Sequence, residues 1–293
     1  MRSLKTYWNI LQRKGIRYSL QEGWKTIWPI RWTQSKTIKD LVAQDRAYKH
    51  LQRYARYAKD YSLPTSQVPK HIWICWLQGL DAAPRTVQLC FESVKRHAAD
   101  YEITVLTSEN MLNYVSLPED IVEKYRTGRI PFAQFSDILR VSLLAQHGGI
   151  WMDATVLMTG PMPEYVTSSS LFMFRGSWLQ PGQTVASNWF LASAPQHPIM
   201  CNMQNLLIAY WQHETFLRDY YIFHILLKIL VEQHEQSRTL FQSMIYQQNV
   251  DVHTLMFRAA SEPYSEQLKA DIHSHSTIHK LSYKNGIDYS MYI

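Results

Sequence analysis

Ile72-Trp-Ile-Cys-Trp-Leu77 is a short, unbroken apolar run, and it restricts the fold more than any other stretch. Six residues cannot make a core helix of useful length, and an exposed strand would alternate polar with apolar. The run therefore predicts a strand buried on both faces, as in a parallel sheet. A helical pattern from Pro84 to His97 follows, then a second strand at Glu102-Ile-Thr-Val-Leu-Thr107. Strand, helix and strand form a βαβ unit with a right-handed crossover, the start of an α/β sheet. A chain of 293 residues with 46% hydrophobic and 18% charged residues can bury such a core, which excludes wholesale disorder. Ten Gly and twelve Pro are too few for a fibrous protein.

Around this unit, residues 36–60 read as a polar helix ending near Tyr61. Leu63-Pro-Thr-Ser-Gln-Val-Pro69 reads as a linker. Leu112 to Arg126 predicts one or two short helices. Ser136 to His147 predicts another, stopped by Gly148-Gly149, and Ile150-Trp-Met152 a third strand. Further strands are expected at 171–174 and 188–192. From Pro198 onward the chain reads as mostly helical, with periodic segments near 199–211, 216–234 and 237–248. No internal repeat is visible. The expected division is a basic, Trp-rich helical extension at 1–62 and an α/β domain at 63–293.

Charge marks the extension off. Residues 1–60 carry fourteen Lys/Arg against four Asp/Glu, a net +10, whereas the remainder carries sixteen against twenty, a net −4. The same segment holds Trp8, Trp24, Trp28 and Trp32. Leu4, Tyr7, Trp8 and Leu11 share helical spacing, as do Leu20, Trp24, Ile27 and Trp28. Basic helices with Trp on the apolar face suit the headgroup layer of an anionic membrane, and a helix packed on the main domain is the other reading. Nothing accompanies the charge that would read nucleic acid. Cys75, Cys90 and Cys201 lack metal or redox spacing, and an odd count argues against a disulfide framework. With no secretory leader and no run long enough to span a bilayer, the expected location is cytoplasmic, peripheral at the inner membrane face.

Chemistry concentrates in Phe135-Ser-Asp-Ile-Leu-Arg-Val-Ser-Leu-Leu-Ala-Gln-His-Gly-Gly-Ile-Trp-Met-Asp-Ala-Thr155. Asp137 and Arg140 are three apart, so they share one helix face. Asp153 falls where the following strand should end, and open α/β sheets bind ligands beyond the carboxyl ends of their strands. A carboxylate there suits Mg²⁺ or Mn²⁺, and an Arg nearby can reach a phosphate or a carboxylate.

Together these residues resemble the capsular polysaccharide synthesis glycosyltransferases and the related Och1-like, DXD-containing sugar transferases. The pattern is carried by Ser136, Asp137, Arg140, Leu144, Gly148, Gly149, Trp151 and Asp153. Val68 to Gly79, Asn188 to Ala192, Asp219 to His224 and His279 to Lys284 also match, in order, over about residues 64–285. The resemblance implies a GT-A fold, a Rossmann-like sheet for a nucleotide-diphosphate sugar, most simply UDP-linked. It implies donor contacts from Trp76, Gln78, Asp137, Arg140, Gly149 and Lys284. It also implies a Mn²⁺ or Mg²⁺ ion held by Asp153, Thr155 and His279. Asp153 would be catalytic, Asp219 and His224 could face a glycan or lipid-linked acceptor, and transfer would retain anomeric configuration. One departure is that the DXD reads Asp153-Ala-Thr155, with Thr in place of the last acid. A non-catalytic membrane-surface partner in a polysaccharide assembly complex is the alternative.

Overall fold

The computed structural model describes residues 36–176 and 184–293. The segment 1–35, with its Trp and basic stripes, lies outside the described residues, so the expectation of membrane contact is not addressed by the fold.

The apolar run becomes β1 (His71–Cys75), followed by α-helix Arg85–His97 and β2 (Glu102–Leu106). β1 pairs in parallel with β2 on one side and with β3 (Gly149–Asp153) on the other. β6 (Ala186–Ser193) then runs antiparallel to β3, and β5 (Leu171–Arg175) antiparallel to β6. The sheet order is β2-β1-β3-β6-β5. This is the α/β class expected from the sequence. The chain leaves β1 toward β2 on one side and later returns as β3 on the other. The crevice between the carboxyl ends of β1 and β3 is therefore a topological switch point.

Strand alternation sorts the two faces. Trp73, Trp151, Leu191 and Met173 enter one apolar cluster, whereas Ile72, Ile74, Ile150, Met152, Phe190 and Phe172 enter another. The helices are numbered here in chain order: α1 (Lys36–Leu51), α2 (Arg85–His97), α3 (Glu119–Arg126), α4 (Phe132–His147), α5 (Glu164–Thr167), α6 (Pro198–His213) and α7 (Ile222–Gln233). Of these, α4, α6 and α7 supply most of the apolar side chains that cover the first face. The expected helix near 216–234 starts only at Ile222, because the chain turns at Asp219, whose Oδ1 accepts from Tyr221 N at 2.8 Å. The expected 237–248 segment is α8 (Glu235–Ser243), and α9 (Asp251–Ser261) and α10 (Glu266–His275) complete the helical part.

Leu51 and Tyr54, at the end of α1 and in the turn that follows it, are buried in the same cluster as Trp151 and Phe135. Tyr54 also donates to Glu214 Oε1 at 3.1 Å, and Arg218 pairs with Glu214 at 3.0 Å. The described part of the extension thus shares the core of the main domain.

Two short strands escaped the sequence reading. β4 (Val156–Met158) and β7 (Ile278–Lys280) form an antiparallel pair with Val156 opposite Lys280 and Leu157 opposite His279. Three residues each are too few to show periodicity, and their partners lie more than a hundred positions apart.

Candidate active site

α4 starts after Pro131, whose extended backbone feeds its first turn, and it stops at Gly148, where φ is +69° and the N–H caps Leu144 O at 3.0 Å. Residues 134–145 are buried all round the helix. Charged groups inside such a helix need partners, and the Asp137 carboxylate and both Arg140 Nη groups have them. Arg140 Nη1 lies 3.1 Å from Asp137 Oδ1 and donates to Asn188 O at 2.9 Å, while Nη2 donates to Ser136 Oγ at 2.8 Å. Asn188 Nδ2 donates to Asp137 Oδ1 at 2.8 Å. The guanidinium also lies over the Trp151 ring, 5.0 Å from its centroid.

Asp153 ends β3 beside Cys75, with which it is in register on β1. Its Oδ1 accepts from Trp151 Nε1 at 3.1 Å and faces Arg140 Nη2 at 3.6 Å. Its Oδ2 accepts from Lys280 Nζ at 2.9 Å, and the same ammonium donates to Thr155 Oγ1 at 2.7 Å. Burial alone would raise the Asp153 pKa, but Lys280 and Arg140 outweigh it and hold the carboxyl below its ordinary value. For Asp137 burial wins over Arg140, and its pKa rises to about 6. His224 is kept neutral by burial, which lowers it to about 4. Its Nδ1 donates to Ala186 O at 3.0 Å, which puts the ring lone pair on Nε2.

These groups line a cleft of about 500 Å³ at the switch point. Trp76, Asp137, Arg140, Asp153, Thr155, His224 and Lys284, all expected from the sequence, come together there. Trp76 packs edge-on against Tyr283 at 5.5 Å. Gln134 Oε1, Arg140 Nε and Trp76 Nε1 are buried without a partner, although all three residues line the cleft.

The other expected site residues stand elsewhere. Gly149 lies at the amino end of β3, at the opposite end of the strand from Asp153. At φ +95° a Cβ there would come 2.6 Å from His71 O, so this glycine serves close strand packing rather than donor contact. Gln78 is exposed and outside the cleft lining, and Asp219 caps its turn rather than lining the cleft. His279 is fully buried, bonded through Nε2 to Thr159 Oγ1 at 3.0 Å, and is no part of the cleft. Successive residues of β7 face opposite ways, so it is Lys280 that enters the site. Lys280, Asn188 and Gln134 were missed as site residues. For Lys280 the available signal was its place in the matching stretch His279 to Lys284.

The Mn²⁺ or Mg²⁺ expected at Asp153 does not fit these residues. Among the described residues, no three His, Cys, Asp or Glu side chains come together to hold a metal. Both Asp153 oxygens already accept from N–H donors, and two cations stand within 4 Å of them. The three cysteines form no disulfide, and burial pushes the Cys75 thiol in the cleft wall up to about 12, too high for a nucleophile.

Among known proteins, the chain is similar to Toxin Afp18 of Yersinia ruckeri serotype O1, with 20% identity over 212 residues. That match takes in 61% of this chain but 10% of the toxin, so the chain spans about a tenth of that relative's length. The solved structure of PaToxG Glycosyltransferase aligns with TM-score 0.42 and 16% identity, over 71% of this chain and 86% of that one. A structure described as a transferase mutant, with two cysteines replaced by serine, aligns with TM-score 0.37 and 12% identity, over 64% of this chain and 95% of that one. The profile of the family described as capsular polysaccharide synthesis protein matches residues 29–291, and the chain belongs to that family.

Proposed function

We propose that this protein is a glycosyltransferase of polysaccharide biosynthesis, moving a sugar from a nucleotide-diphosphate donor, UDP-linked, to a glycan or lipid-linked acceptor. One observation carries the reading. Asp137, Arg140, Asp153, Lys280 and Lys284 converge on one cleft at the carboxyl ends of β1 and β3, among polar groups that lack partners. Opposed carboxylates and cations of this kind can grip a ribose or sugar hydroxyl with one sign and a diphosphate with the other.

In this reading Asp137 and Asn188 form one polar edge for the donor, Trp76 offers an aromatic surface, and Lys280 and Lys284 meet the diphosphate. Asp153, held ionised, sits beside the anomeric carbon and stabilises positive charge developing on the sugar. Neutral His224 faces the acceptor hydroxyl. Retention of configuration is the proposed outcome and is read from the anomeric proton signal of the product. The excess positive charge of residues 1–60 supports attachment to anionic vesicles, tested by comparing sedimentation of the full chain with that of a chain lacking residues 1–32.

Hydrolysis of a panel of UDP-sugars by the purified chain, followed by mass spectrometry, tests the main reading. At least one sugar nucleotide should be cleaved, and cleavage should fall by roughly 10²–10³-fold in Asp153→Asn. Failure to cleave or bind any of them would defeat it.

A further inference from the structure

We propose that the Lys280 ammonium occupies the divalent-cation position of the donor subsite, so that donor binding and transfer proceed without a metal. This inference rests on the cleft being a nucleotide-sugar site.

Three observations lead there. First, Lys280 Nζ bridges Asp153 Oδ2 and Thr155 Oγ1, the two oxygens that the Asp-Ala-Thr sequence would offer to a metal. A cation arriving between them would have to displace an ammonium. Second, Lys280 is placed by the sheet rather than by chance of a surface rotamer. β7 pairs with β4, Lys280 lies opposite Val156, and its neighbour His279 is buried on the other side. Leu281 N also donates to Thr155 O at 2.9 Å, tying the lysine backbone to the Asp-Ala-Thr turn. Third, the charge count of the cleft lining is already positive. Arg140, Lys280 and Lys284 face Asp137 and Asp153, three charges against two, with His224 neutral.

Thr155 in place of the last acid of the DXD and Lys280 beside it then work as one unit. Thr155 supplies a neutral oxygen where a second carboxylate would demand a divalent ion, and a single ammonium balances Asp153. In the transfer step the bond between the anomeric carbon and the diphosphate oxygen breaks, and its electron pair leaves with the diphosphate. The acceptor oxygen bonds to that carbon and its proton passes to the departing phosphate. Lys280 changes no bond. It turns from Asp153 toward the phosphate oxygens as their negative charge grows, and Asp153 is released to face the sugar.

UDP itself is the probe, titrated by calorimetry into the full chain in EDTA and again with excess Mn²⁺. The dissociation constant should agree within about threefold between the two conditions, and Lys280→Met should weaken it at least about tenfold in EDTA. Lys280→Arg should recover part of the loss, because a guanidinium keeps the charge. UDP binding that needs Mn²⁺, or unchanged binding by Lys280→Met, would overturn the inference and leave the donor site standing. No UDP binding in either condition would overturn both. The chelator comparison uses the unaltered chain, so it decides the matter even where Lys280→Met does not fold.

Discussion

Arg140 Nη1 stands 3.1 Å from Asp137 Oδ1, three residues back on the same helix, and both side chains are only 7% exposed. A pair this deeply buried is weak evidence of net stability, but breaking it strands a charge. Arg140→Met should destabilise the fold by about 3–5 kcal/mol, because Asp137 loses its counter-charge. Asp137→Asn should cost less, since a neutral amide needs none and Asp153 still faces Arg140. Urea unfolding of both variants and of the double variant would show this as strong non-additivity. An Arg140→Met protein within about 1 kcal/mol of the parent would show that the pair is not required.

Asp153 is only part-buried at the end of its strand, so its loss should affect chemistry more than folding. Asp153→Asn should lower donor cleavage by roughly 10²–10³-fold, the usual effect of removing one electrostatic contact from a transition state. Its melting curve should stay cooperative. Equal turnover by the variant and the parent would remove Asp153 from the mechanism.

Gly149 tests the opposite separation. Its φ of +95° and the 2.6 Å approach of a built Cβ to His71 O leave no room for a side chain between β1 and β3. Gly149→Ala should destabilise by about 2–4 kcal/mol, from backbone strain together with overpacking. What folded protein remains should bind UDP as the parent does. A weakened UDP affinity without loss of stability would return Gly149 to the donor site.

Acid sensitivity should come from buried histidines. Burial lowers His197 to about 4 and His224 to about 4, and lowers His279 to about 3, with His273 adding to the effect at His279. Their unfolded values lie near 6.5. As pH falls from about 6.5 toward 4, the unfolded chain takes up protons that the folded chain refuses, so stability is lost across that window. Asp137 works in the other direction. Its folded pKa of about 6 lies above the unfolded value, so its contribution declines as pH rises from about 4 to 6. Three histidines outweigh one carboxyl, and each histidine is worth on the order of 3 kcal/mol. The urea midpoint should therefore be lower at about pH 4.5 than at about pH 7, and His279→Gln should flatten that slope. An unchanged slope in His279→Gln would mean that this imidazole is protonated in the fold.

The elements legible in the chain itself were those whose signal is local. Ile72–Leu77 is too apolar and too short to be anything but an inner strand, and Gly148-Gly149 ends a helix because only glycine readily reaches the backbone angles found there. Helix spacing put Asp137 and Arg140 on one face and a strand end marked Asp153, and the family resemblance joined the three into one site before any tertiary contact was known. Tertiary structure decided what depends on distant pairing. His279 was the expected ligand and Lys280 its unremarked neighbour, yet the β4/β7 register turns Lys280 into the cleft and seals His279 against Thr159. The two-residue alternation of a strand makes that choice absolute, and its register is set by a partner more than a hundred residues away. Which cation stands beside Asp153 was thus a property of the fold, although every atom involved was already written in the sequence.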